Sequence, residues 1–188
     1  MRMPSGLKTN LLILLVSAAL WFGAYHLNGW LMSFAVHVPG ISLIFLPSGI
    51  RLLALMTGGV WAAAGITLGA FLCMDSEFTR ISMMQAATLS LAAGFGGYLS
   101  LLATCRLLGI SPHLANLMPV HLPLMALGTA IGSAALHNAL YTLYGMAQWR
   151  EYIEHVAAMA AGDVIGSLLA ILLLMAGLRL YRKSGFPA

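Results

Sequence analysis

Long apolar segments follow one another along almost the whole chain, and they limit its possible folds more than any other feature. Only 7% of the 188 residues are charged, whereas 61% are hydrophobic. About a quarter of the residues in an average soluble domain are charged, so this chain cannot cover a water-exposed surface of its own. About 20 apolar residues suffice to cross a bilayer as a helix. The sequence therefore predicts an all-α, polytopic membrane helix bundle that forms one integral membrane domain over residues 1–188.

Breaks between the apolar segments predict about six transmembrane helices. Pro47, Ser48 and Gly49 interrupt the second segment, and proline disrupts the hydrogen bonds of a helix interior. We therefore expect a short, broken second helix, followed by a turn at Gly58 and Gly59. The predicted helices comprise residues 10–36, 48–57 (within the apolar segment 41–57), 60–74, 81–104, 120–144 and 155–180.

The basic residues predict the orientation of this bundle. With the N-terminus in the cytoplasm, six basic residues lie on the cytoplasmic side and only Arg80 and Arg150 lie outside. This asymmetry follows the positive-inside rule and predicts a multi-pass protein of a bacterial inner (plasma) membrane with both termini cytoplasmic. The six cytoplasmic residues are Arg2, Lys8, Arg106, Arg179, Arg182 and Lys183. Because the basic residues are scattered, we expect the lipid bilayer and membrane proteins as partners, and no nucleic acid.

Two ionisable residues, Arg51 and Asp163, fall deep within predicted helices. A charge inside the membrane is costly and by default indicates a functional site. Their predicted depths are compatible, so we expect the two side chains to lie within salt-bridge reach. Two interpretations stay open at this point. The pair either locks the second helix against the sixth, or lines a polar cavity that binds a ligand or relays a signal.

A second polar group consists of His26, Asn28, His137 and Asn138, all in the predicted outer half of the bilayer. Together with Asp163 they are candidates for a site that opens to the outer side. The alternative is that each histidine is simply a hydrogen-bonded core residue. His and Asp are metal ligands in general, but no pair here has a diagnostic spacing. We therefore predict no metal site, and the sequence assigns no cofactor.

Signatures of common enzymes are missing from the sequence. It contains no HExxH, no Gly-rich phosphate-binding loop and no GxSxG, which are the patterns that position catalytic groups in several large enzyme classes. Too little chain lies outside the predicted helices to build a soluble pocket. We therefore predict that the protein is not an enzyme.

Glycines four residues apart recur in three of the predicted helices, at 65 and 69, 128 and 132, and 162 and 166. Small residues at this spacing let helix backbones approach closely in lipid. The simplest interpretation is packing within the bundle, and the alternative is an interface between copies.

Two segments, which include residues 45–69 and 162–166, resemble parts of the membrane-associated sensor domain of the first MASE type. That family has an aromatic-proline element before a Gly-containing helix, and a Gly-Asp-x-x-Gly element in its last helices. The matching residues here are Phe45-Leu46-Pro47-Ser48-Gly49-Ile50, then Leu52-Leu53-Ala54, Gly58, Gly65 and Gly69, and later Gly162-Asp163-Val164-Ile165-Gly166. The resemblance covers residues 10–180, with residues 106–127 matching the family's cytoplasmic loop.

The resemblance implies a sensor that docks or binds something in the membrane ahead of a cyclase, phosphodiesterase or histidine kinase. The sequence departs from that pattern in two ways: no output domain follows residue 183, and Arg51 stands where an apolar residue is expected. We therefore expect a stand-alone, non-catalytic sensor-like or partner-binding module. Residues 41–71 also resemble the substrate-binding subunits of energy-coupling-factor transporters. A small structural subunit of a larger membrane complex is the third alternative.

Overall fold

The computed structural model describes residues 6–38, 40–74, 81–111 and 114–183, without the side chains of residues 178, 182 and 183. The fold is almost entirely helical, as the composition predicts. Its only sheet within these residues is an antiparallel hairpin of two very short strands. The elements are α1 (Leu7–Leu31), β1 (Val36–Val38), β2 (Ile41–Ser42), α2 (Pro47–Cys73), α3 (Met83–Leu91), α4 (Gly97–Leu107), α5 (His121–Leu143) and α6 (Tyr152–Lys183).

The first helix ends earlier than the apolar run predicts. We expected it to reach residue 36, but α1 ends at Leu31, and a short 3₁₀ turn leads into β1. The amide nitrogen of Leu43 donates to the carbonyl oxygen of Ala35, so the apolar residues after Leu31 form a hairpin at one end of the bundle. Hydropathy alone does not separate these two conformations, because both accommodate a run of apolar residues.

α3 and α4 form one continuous rod with a π turn between them at Ala92–Gly96. α3 begins with a capping box, in which the Ser82 and Gln85 side chains satisfy each other's backbone amides. The π turn is rich in small residues, and its Gly94 lies directly against the backbone of α2. A side chain at this position would overlap the carbonyl oxygen of Ala63, so glycine is what allows the close contact.

α2 lies at the centre of the bundle and contacts α1, the α3–α4 rod, α5 and α6. Its helical conformation is interrupted at Gly59, whose φ and ψ angles are 57° and −132°. A side chain would be strained there, whereas glycine adopts such angles freely. The predicted break between the second and third helices is therefore confirmed, and it divides α2 into residues 47–58 and 60–73.

The first half of α2 runs antiparallel to α1. At its start, the amide nitrogen of Leu46 donates to Oδ1 of Asn28 near the end of α1, at 2.8 Å. At its end, Gly58 faces the side chain of Ile13, about four turns earlier in α1. The chain has therefore travelled back along most of α1 when it reaches Gly59.

The second half of α2 runs in the same direction as α1. Gly65 lies against the backbone of Leu14, and Gly69 lies against the backbone of Ala18. The contacts thus advance along α1 again, so the two halves form a tight helical hairpin that packs side by side on α1. The intramolecular interpretation of this glycine pair is confirmed.

Four helices within the described residues are long and apolar enough to cross a membrane, which makes this a multi-pass membrane protein by length and composition. α5 has 23 residues but is not one of the four; its His137 and Asn138 lower its mean hydropathy. The count of six crossings stays a prediction. The four helical segments are Leu7–Leu31, Pro47–Cys73, Met83–Leu107 and Trp149–Tyr181. They are counted by length and composition alone, and the second is the folded segment α2, whose two halves lie side by side on α1.

Candidate polar site within the helix bundle

The structure brings Arg51 and Asp163 together in the interior of the bundle. Nη2 of Arg51 donates to Oδ2 of Asp163 at 2.5 Å, and both side chains are only 4% exposed. Arg51 lies one turn into α2, and Asp163 lies about three turns into α6. The predicted pairing is confirmed, and it ties the first half of α2 to α6.

A third helix also takes part in this site. Nη1 of Arg51 donates to Oγ of Ser133 on α5 at 2.9 Å. Ser133 is fully buried, so this hydroxyl replaces water as an acceptor for the guanidinium group. The Arg51 side chain therefore connects α2, α5 and α6 at one point.

Close backbone packing brings these groups into reach. A Cβ atom at Gly162 would overlap the carbonyl oxygen of Ser42, and one at Gly166 would overlap the carbonyl oxygen of Phe45. The amide nitrogen of Phe45 donates to the carbonyl oxygen of Gly162 at 3.2 Å. The backbone that leads into α2 thus packs directly against the Gly-Asp-x-x-Gly element of α6.

The start of α2 is held on α6 by serine hydroxyls. Oγ of Ser48 lies 2.7 Å from the carbonyl oxygen of Asp163 and 2.7 Å from that of Phe45. Oγ of Ser167 donates to Oγ of Ser48 at 3.3 Å. Pro47 occupies the first turn of α2, where its missing amide hydrogen needs no partner. The predicted motif residues Pro47 and Ser48 therefore set where α2 begins and how it seats.

Trp21 of α1 covers the same site from another side. The Cζ atom of Arg51 lies 6.0 Å from the centre of the Trp21 ring, at the limit of a cation–π contact. The ring also packs edge-on against Phe45, with ring centres 6.0 Å apart. Trp21 is 3% exposed, so on this side the guanidinium group faces the Trp21 ring and not lipid.

His137 and Asn138 lie close to this site, and each has a hydrogen bond to its own helix, α5. Nδ1 of His137 lies 3.0 Å from the carbonyl oxygen of Ser133. Nδ2 of Asn138 donates to the carbonyl oxygen of Ala134 at 2.9 Å and also faces the Met159 sulfur at 3.6 Å. Asn138 therefore contributes to the contact between α5 and α6, and its Oδ1 atom is buried without a hydrogen-bond partner.

His26 does not join the polar group that was predicted to include it. Its ring lies on an exposed face of α1, edge-on to Phe22 with ring centres 4.4 Å apart. The buried side of α1 includes Ala24 and Asn28. A residue two positions from either is rotated by about 200° around the helix, which directs His26 away from the bundle.

Ser133, Ser167 and Trp21 belong to the site, although nothing in their sequence context identifies them. A serine or tryptophan in an apolar helix is common, and neither type of residue signals a buried arginine on another helix. The available signal was spacing: Ser133 precedes His137 by one turn, on the same face of α5.

The described residues contain no cluster of three or more His, Cys, Asp or Glu side chains placed to hold a metal ion. The arrangement offers instead a neutral ion pair, serine hydroxyls and indole and guanidinium N–H groups. Comparison with protein-family models, with curated proteins and with solved structures finds no match for this chain.

Proposed function

We propose that this chain is a non-catalytic, sensor-like module that binds partner proteins in a bacterial inner membrane. In this proposal it crosses the membrane six times, with both termini in the cytoplasm. The resemblance to the first MASE type suggests the role, and the observation that carries it is the buried pair of Arg51 and Asp163.

A purely structural role is a poor explanation for such a pair. Removing two charges from water is expensive, and well-packed apolar residues often stabilise a core equally well or better. Such a pair is useful, however, in a bundle that changes between two arrangements. A group that competes with Asp163 for Arg51, or with Arg51 for Asp163, alters several helix contacts at once. Arg51 has contacts of this kind with α5 and α6.

α6 offers a direct route for the response. The helix has 32 residues, and the 20 residues after Asp163 extend about 30 Å at 1.5 Å per residue. Its second half is mostly exposed, including Leu172, Leu173 and Leu180. A tilt of α6 at Asp163 would thus move a long, unpacked segment towards the predicted cytoplasmic end, where partners of a sensor would respond.

Recovery of partners from native membranes tests this proposal. We would solubilise the tagged full chain and quantify co-purified proteins for the parent and for Asp163→Asn. His26→Ala, which changes an exposed side chain of α1, is the matched control. We expect a cyclase, phosphodiesterase or histidine kinase that is retained by the control and depleted with Asp163→Asn.

Other outcomes would overturn the sensor role. Recovery of a pair of ATPases with a coupling subunit would indicate the substrate-binding subunit of an energy-coupling-factor transporter. A constant stoichiometric complex of other membrane proteins, unaffected by Asp163→Asn, would indicate a structural subunit.

A further inference from the structure

Two N–H donors in the polar site have no acceptor. Nε of Arg51 and Nε1 of Trp21 are both buried and without a hydrogen-bond partner in the described structure. Both residues are only 3% exposed. Buried polar groups in proteins are nearly always hydrogen-bonded, to protein or to a bound molecule. Two unsatisfied donors on neighbouring side chains therefore point to an acceptor that the protein itself does not supply.

At Arg51 and Trp21 the unsatisfied groups are donors. A guanidinium group carries five N–H bonds and an indole carries one, and neither can accept. The acceptors that meet Arg51 are a carboxylate oxygen of Asp163 and the hydroxyl of Ser133. The missing group is therefore an acceptor, and not a further donor or a cation.

A glycine of α4 lies directly against the Arg51 side chain. A Cβ atom at Gly97, at the start of α4, would lie 3.0 Å from Cδ and 3.5 Å from Nε of Arg51. Any side chain at this position would therefore displace the Arg51 side chain and its Nε atom. Gly97 is buried and helical, so its lack of a side chain is explained by this neighbour and not by backbone conformation.

We propose that Arg51 and Trp21 bind a neutral oxygen acceptor between α1, α2 and α4. Asp163 already balances the charge of Arg51, so an anion would leave a net buried charge, which is unfavourable in a membrane protein. A neutral oxygen satisfies the N–H donors without that penalty. Its source is either an internal water molecule or the carbonyl oxygen of a small uncharged molecule. This inference rests on the proposed sensor role for its biological meaning, but the binding is tested separately.

The indole N–H of Trp21 provides a direct measurement. The full chain, labelled with ¹⁵N-tryptophan in lipid nanodiscs, has four indole groups, and Trp21→Phe identifies the Trp21 signal by its loss. Trp149, which is 64% exposed, is the control within the same spectrum. We expect the Trp21 proton to have the chemical shift of a hydrogen-bonded indole.

Two variants test whether Arg51 and Gly97 form the same site. Arg51→Lys keeps the positive charge but removes Nε, and Gly97→Ala displaces the Arg51 side chain that carries Nε. We expect both to shift the Trp21 signal more than the other three indole signals. If Arg51→Lys does not fold, Gly97→Ala alone decides. An indole shift typical of a free N–H, unchanged by Gly97→Ala, would overturn the proposal.

The source of the oxygen is resolved by two further measurements. Magnetisation transfer from water to the Trp21 indole proton indicates an internal water. A hydrogen-bonded signal without that transfer, and lost after the protein is exchanged through fresh lipid, indicates a small carbonyl compound. If the Trp21 indole is hydrogen-bonded but no partner protein is recovered, the binding inference stands and the sensor role is rejected. If a partner protein is recovered but the Trp21 indole N–H is free, the sensor role stands and the binding inference is rejected.

Discussion

A charged side chain within a helix bundle needs a partner that stays in reach, since water does not replace it. For Arg51 the partners are Asp163 and Ser133, on two different helices. Close packing at glycine residues and hydrogen bonds of serine hydroxyls keep these two helices, α6 and α5, near α2. The free energy of this cluster therefore depends on both members of the ion pair, and substitutions in the pair should not be additive.

Loss of one charge should be more harmful than loss of both. We expect Asp163→Leu to lower the free energy of unfolding by about 3–5 kcal/mol, because Arg51 is then buried without its counter-ion. Adding Arg51→Met should recover most of that loss. Reversible unfolding in mixed micelles of the parent, Asp163→Leu, Arg51→Met and the double variant measures the coupling between the two residues. His26→Ala should change the stability by less than about 0.5 kcal/mol. Losses that simply add would contradict the ion-pair interpretation.

At the scale of elements, backbone contact between helices determines how α2 sits in the bundle. Its first half seats on Gly162 and Gly166 of α6, and its second half places Gly65 and Gly69 on α1. Helices in lipid gain most of their association energy from such close packing, since lipid provides no hydrophobic drive between them. Each glycine contact should therefore be sensitive to one added methyl group.

Gly166→Ala should destabilise the bundle by about 1–3 kcal/mol, the usual penalty of overpacking. The new Cβ atom would overlap the carbonyl oxygen of Phe45 and displace the start of α2. Gly177→Ala on the same helix is the matched control, because no heavy atom lies within 4 Å of a Cβ there. The comparison is made by thermal denaturation in detergent. Equal melting temperatures for the two variants would contradict the close contact.

Gly59→Ala should also destabilise the protein, by about 1–3 kcal/mol, through backbone strain. The φ angle of 57° with ψ of −132° at Gly59 lies in a region that side chains rarely adopt. Thr57→Ala is the control two residues earlier, since the Thr57 side chain is exposed and bonds to its own helix. Denaturant titration separates the two. A neutral Gly59→Ala would mean that the two halves of α2 join without a tight turn.

The two ends of the bundle differ in the side chains that they expose. Trp30, Phe34 and Trp149 are exposed at the end that carries the β-hairpin, as expected for an aromatic belt at a membrane surface. Lys8, Arg106 and Arg179 lie at the other end. Because aromatic belts occur at both membrane surfaces, the rings do not distinguish the two sides. The orientation with the lysine and arginine end in the cytoplasm stays a prediction of the positive-inside rule.

Cysteine labelling tests this orientation. After replacement of Cys73 and Cys105 by alanine, single cysteines are introduced as Trp149→Cys and Arg179→Cys. A membrane-impermeant maleimide is added to cells in which only the outer membrane has been permeabilised. It should label Trp149→Cys. Arg179→Cys should be labelled only after the inner membrane is opened. Labelling of Arg179→Cys from the outside would show that the termini are not cytoplasmic.

The helical membrane class, the break at Gly58 and Gly59 and the pairing of Arg51 with Asp163 could all be predicted from the sequence. Each depends on a strong local effect: the length of the apolar segments, a residue type that ends helices, and the free-energy penalty of an isolated charge in lipid. The outward orientation of His26, and the position of Trp21 and Ser133 beside Arg51, could not be predicted in this way. Since α1 and α5 are apolar around most of their circumference, composition does not reveal which face is buried. The rotation of each helix depends on how it packs against neighbours that are distant in the chain.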